Sequence, residues 1–120
     1  MTTYIRTKLN VKTVQGNKVT LKFSVFDENG DPYPLSALEI LWSCRNSLTK
    51  ETVLEKQTGD GITIMSVPDD HKFNVVLESA DTLPLLDLHD HEATIMDVDD
   101  AVSVKNDDNS FGTIFFREKV

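Results

Sequence analysis

Apolar and polar residues alternate along most of this chain with a period of two, and turn-forming residues interrupt the alternation every ten residues or so. Val19, Leu21, Phe23 and Val25 alternate with Thr20, Lys22 and Ser24, the pattern of a strand with one face on a core. Phe26 falls on the polar side, so that side is expected to be partly covered. Leu38, Ile40, Trp42 and Cys44 share one face of a second strand, and Glu39, Ser43 and Arg45 share the other with Leu41. Phe73, Val75 and Leu77 alternate with Asn74, Val76 and Glu78 in a third. Weaker patterns predict strands over Ile5 to Val14, Val53 to Gln57, Ile62 to Val67, Leu88 to Met96, Ala101 to Val104 and Phe111 to Arg117.

The interruptions carry turn chemistry. Gln15-Gly16-Asn17, Asn29-Gly30 with Asp31-Pro32 and Pro34, Thr58-Gly59-Asp60-Gly61, Pro68-Asp69-Asp70, Asp97 to Asp100 and Asn106 to Asn109 all break strands. Ser47 to Glu51 reads as a loop. Ala80-Asp81-Thr82 before Leu83-Pro84-Leu85-Leu86 predicts a capped turn or a single helical turn near residues 79–86. The pattern therefore predicts an all-β, antiparallel sandwich of about 7–9 short strands in one domain, residues 1–120. Its core is expected to include Phe23, Ile40, Trp42, Phe73, Val75 and Leu77, with Leu21, Val25 and Ile95. A lone tryptophan on such a strand is expected to be scaffold.

Composition narrows the function classes. The 120 residues suit one domain able to bury a core without staples. The formal net charge of −8, from 20 acids against 12 bases, argues against nucleic acid and against an anionic membrane surface. No apolar run is long enough to span a bilayer, and the first residues, MTTYIRTKLN, lack a secretion signal, so folding in a cytoplasm is expected. Cys44 is the only cysteine; between Trp42 and Arg45 on a core strand it reads as a buried thiol acting as a small hydrophobe.

Two clusters carry candidate chemistry. His89 and His91 lie at i, i+2, so they point to one strand face and can share a metal, with His71 or an acid as a third ligand. No closed ligand set is visible, the pair reads as a surface or core-edge feature, and no metal or other cofactor is expected. Asp97, Asp99, Asp100, Asp107 and Asp108, with Asp27 or Asp31, offer oxygens to calcium, but Ala101 and Val102 break the helix–loop–helix calcium pattern. These residues read as turn formers. There is no Gly-rich phosphate loop, Gly-x-Ser-x-Gly elbow or His-Glu-x-x-His, so no catalytic residue is assigned and an enzyme is not expected.

A family resemblance adds what residue chemistry leaves open. The chain carries a strand of the form V-T-L-x-F-x-V from Val19, an Asn-Gly/Pro turn, and Leu35-x-x-Leu38-x-Ile40-x-Trp42-x-x-Arg45. Then come Val53 to Ile64 (VLEKQTGDGITI), Phe73-x-Val75-x-Leu77, Ala80-Asp81-Thr82-x-x-Leu85 and a strand bearing His91-Glu92. This order, from Val11 to about Asp99, resembles the small immunoglobulin-like structural proteins of tailed bacteriophages and prophages. That pattern places Gly and Tyr before the His-Glu pair, where Asp87 and His89 stand here, and Gly in the penultimate hairpin, where Asp99-Asp100 stand.

The resemblance implies an immunoglobulin-like sandwich and a non-enzymatic role in the virion, as a tail, baseplate or neck component assembled in the host cytoplasm. Its implied partners are other virion proteins and further copies of itself, met through exposed edge strands and through turn residues Asn29, Asp31, Tyr33, Asp99 and Asp100. Alternative expectations are capsid decoration, or a carbohydrate- or cell-surface-binding module using turn loops or the aromatics Tyr4, Tyr33 and Phe111.

Overall fold

The computed structural model describes residues 3–5, 10–27, 29–36, 38–96, 101–106 and 112–119. Ten strands dominate it: β1 (Thr3–Ile5), β2 (Asn10–Val14), β3 (Val19–Asp27), β4 (Glu39–Asn46), β5 (Thr52–Thr58), β6 (Gly61–Ile64), β7 (Lys72–Leu77), β8 (Asp87–Met96), β9 (Ala101–Asn106) and β10 (Gly112–Arg117). One short helix, α1 (Ser79–Thr82), lies within the segment where a helical turn was predicted. The first predicted strand, Ile5 to Val14, is two, β1 and β2, so the count exceeds the 7–9 expected from periodicity.

Strand pairing corrects a second expectation. The sheet is mixed: β1–β9, β2–β10 and β5–β6 are parallel pairs, and the remaining pairs are antiparallel. The order runs β2-β10-β8-β4-β5-β6-β7-β3-β1-β9, and β9 pairs again with β8. Eight strands, from β8 round to β9, thus form a nearly closed, barrel-like sheet, and β10 and β2 extend from β8 outside that ring.

The pivot is β8, whose ten residues serve two partners on one side. Asp87 to His91 pair with β10, and Ala93 to Met96 pair with β9, while β4 pairs with His89 to Met96 on the other side. The two closing seams are thin. Two residues of β5, Gln57 and Thr58, pair with β6, and the three residues of β1 pair with β9.

The core fills the space within. Leu21, Phe23, Val25, Ile40, Trp42, Phe73, Val75, Leu77, Ile95, Ile114 and Phe116 are buried, joined by Leu35 from the β3–β4 connection and Leu85 after α1. Phe23 stacks on Phe73 with ring centroids 4.8 Å apart. Aromatic pairs at such separations add about 0.5–1.5 kcal/mol beyond their area.

Two sequence pieces that carry the family resemblance are joinery in the fold. In the β5–β6 turn, Gly59 and Gly61 have φ of +84° and +94°, and a Cβ on Gly61 would sit 2.5 Å from the Lys56 side chain. Thr58 Oγ1 accepts the Ile40 N–H at 2.7 Å, which satisfies the start of β4. In Ala80-Asp81-Thr82, Asp81 accepts the Glu78 N–H at 2.8 Å and pairs with Lys56 at 2.8 Å. Burial pushes the Asp81 carboxyl up, but the hydrogen bonds and charge of Lys56 and the Glu78 N–H outweigh it and hold the carboxyl below its usual range. Thr82, fully buried, donates to the Asn17 carbonyl at 2.8 Å and ties α1 to the β2–β3 turn.

Candidate functional site

The histidine pair lies inside. His89 and His91 do share one face of β8, as their spacing predicts, but that face is the interior: they are 2% and 3% exposed. This corrects the reading of a surface or core-edge pair. The Trp42 Nε1–H donates to His91 Nδ1 at 3.2 Å. Indole only donates, so His91 Nδ1 carries no proton and the neutral ring holds its hydrogen on Nε2. His89 Nδ1 lies 3.2 Å from the Asp87 carbonyl oxygen, which only accepts, so in this contact the His89 Nδ1–H is the donor. Phe23 meets His91 edge-on at 5.7 Å, and Phe116 meets His89 edge-on at 5.2 Å.

These contacts define what the imidazoles do. Each proximal nitrogen is engaged with a neighbour inside the fold, and His71, the third ligand considered, lies instead against Phe26 at 5.5 Å. Its Nδ1 is buried without a hydrogen-bond partner among the described residues. Among the described residues no group of three or more His, Cys, Asp or Glu comes together to hold a metal. Cys44, cross-strand neighbour of His91, is 1% exposed. Burial, and then the charge of Asp90, push its thiol up to about 12. A thiol held so firmly protonated is a poor nucleophile. The dimple bordered by Ser43, Arg45, Asp90, His91 and Glu92 encloses about 10 Å³, room for about one water.

The turn residues singled out from sequence divide. Asn29 and Asp31 are exposed, while Tyr33 is half-buried against the core, with its N–H donating to the Val25 carbonyl at 3.0 Å. Leu35 N–H donates to the Asp70 carbonyl at 2.8 Å, and Ser36 Oγ donates to the Asp70 carboxylate at 2.7 Å. The β3–β4 connection is thus pinned to the β6–β7 connection beside it. Asp99 and Asp100, with the other acids of 97–100 and 107–108, lie outside the described residues, as does Phe111.

Periodicity did not single out the outward face of β2, β10, β8, β4 and β5. Lys12, Phe115 and Leu88 lie in one cross-strand row, and Phe115 and Leu88 stay 36% and 45% exposed. Arg117 lies two residues along β10 from Phe115, and both are exposed. In the middle of the face, Asp90 lies 3.9 Å from Arg45 and 3.7 Å from Lys50. At the other end Glu55 and Glu92 flank Ser43, and Glu39 and the 37%-exposed Leu41 complete the row of β4. Among the described residues Lys12, Arg117, Glu39 and Glu55 have no ion-pair partner. One end of this face is cationic, the other anionic, and both carry exposed apolar side chains. The sequence signal was there in Leu41, Leu88 and Phe115, apolar residues out of phase with their buried neighbours.

Among the described residues no helix is long and apolar enough to cross a membrane. No family model matches the chain, and no curated protein matches it.

Proposed function

We propose that this chain is an immunoglobulin-like sandwich and a non-enzymatic structural component of a tailed-bacteriophage or prophage particle, in the tail, baseplate or neck. It would work through contacts with other virion proteins. The observation that carries the reading is the strand order, taken with the sequence resemblance. β1-β3-β7-β6 and β2-β10-β8-β4-β5 are two sets joined by thin parallel seams and by β8–β9. Immunoglobulin-like domains order their strands in two sheets this way, with the first strand shared between them and a tryptophan buried on the third. Trp42 on β4 has that place.

Two details support the reading. Where antibody domains bridge their sheets with a disulfide, Phe23 on β3 and His91 on β8 make a ring contact. Asp87 stands where the phage pattern has glycine, and its φ of +73° is the left-handed conformation that glycine adopts most easily. The test is the particle itself. Mass spectrometry of purified virions should find the chain at fixed stoichiometry, and electron microscopy of a deletion phage should show a missing component. Complete particles without the chain would refute the proposal.

A further inference from the structure

We infer that the outward face of β2, β10, β8, β4 and β5 binds a second copy of this chain, cationic end to anionic end. The inference stands whether or not the protein belongs to a virion. Three features of the face carry it. First, its charge is segregated along the strands: Lys12 and Arg117 at one end, Glu39 and Glu55 at the other, none of them ion-paired among the described residues. Between them, Asp90 is already balanced by Arg45 and Lys50. Second, exposed apolar side chains sit within each charged end, Phe115 and Leu88 beside the cations and Leu41 beside the acids. Third, the chain as a whole is strongly acidic, at −8, so unpaired cations gathered beside an apolar pair depart from the general trend of its surface.

A face of this kind is its own complement. A two-fold axis lying in the interface turns one copy over the other, so Lys12, Phe115 and Arg117 of each meet Glu39, Leu41 and Glu55 of its mate. Both halves of the contact then form twice, as an isologous interface requires. Opposite charges steer and register the approach, and the apolar side chains supply area that leaves water. Five strands spaced about 4.8 Å apart give a face about 19 Å across.

Sedimentation equilibrium of the full chain at low salt tests this. The expected mass is twice 13.5 kDa, falling towards one chain as salt is raised. Lys12→Glu with Arg117→Glu makes the whole face anionic, and Glu39→Lys with Glu55→Lys makes it cationic. Each pair should weaken self-association by about tenfold or more. Mixing the two variants, or combining all four changes in one chain, should restore a dimer. All four side chains are exposed, so dilute, high-salt thermal melts, where the parent is also monomeric, should match and show that folding is intact. A monomer at every concentration up to about 200 µM would overturn the inference. So would dimers indifferent to either reversal, or reversed variants that fail to pair on mixing.

Discussion

The two faces of β8 invert the usual rule for a half-buried strand. Its inner face carries His89 and His91 before Ala93 and Ile95, all buried, while its outer face carries Leu88, exposed, ahead of Asp90, Glu92 and Thr94. The difference teaches where polarity is tolerated. An imidazole survives inside because a neighbour of fixed chemistry meets it, the indole N–H for His91 and the Asp87 carbonyl for His89. A leucine survives outside because exposing one apolar side chain costs little, and beside Phe115 and Lys12 it becomes part of a surface with a use.

The largest test of the inner face removes its anchor. Trp42→Ala should cost about 3–5 kcal/mol in urea unfolding, because it opens a cavity against the His91 ring and strands His91 Nδ1. Next comes His91→Leu. It keeps most of the volume but leaves the Trp42 N–H buried without its acceptor, for a loss of about 1–3 kcal/mol. Trp42→Phe in the same background should recover part of that loss, since both partners of the hydrogen bond are then gone. Additive losses in this double-mutant cycle would show that the indole–imidazole bond contributes nothing.

Cys44 gives a pH-dependent test of the same wall. Its thiol is pushed from 9.0 to about 12 in the fold, so the native state keeps a proton that the unfolded chain gives up. That contribution is fully present below pH 9.0 and is lost as pH rises towards about 12. Between those values the parent should lose up to about 1.4 kcal/mol per pH unit relative to Cys44→Ala. Equal pH slopes for the two proteins would remove the effect.

The smallest change in stability belongs to the outer face. Leu88→Ser with Phe115→Ser should shift stability by less than about 0.5 kcal/mol per site in the monomer, measured by dilute chemical denaturation. A loss of several kcal/mol would mean that these residues are packed against something in the native chain, and the contrast between the faces would fail.

Much of the local structure was readable in advance. The alternations at Val19 to Val25, Ile40 to Cys44 and Phe73 to Leu77 marked strands whose inner residues are buried, and the helical turn fell around Ala80-Asp81-Thr82. Turns at Gly16, Gly30, Gly59 and Gly61 have the positive φ that glycine permits. These features depend on neighbours a few residues apart, and the chain carries that information locally. Mixed pairing and the nearly closed ring were not readable in the same way. Neither the two-residue seam at Gln57-Thr58 nor the division of β8 between β9 and β10 leaves a trace in periodicity.

The candidate surface shows the same division. Spacing alone put His89 and His91 on one side of a strand and Leu88, Asp90 and Glu92 on the other, but a period of two is unchanged when the strand is turned over. Which side faced the core was settled by partners far along the chain. Trp42, 49 residues from His91, supplies the N–H that its Nδ1 accepts, and Phe23 and Phe116 meet the two rings edge-on. Lys12 came beside Phe115 by a parallel pairing across the ends of the chain. Alternation is a property of consecutive residues and belongs to the sequence. Burial and charge segregation are sums over distant residues, and they exist only once the sheet has closed.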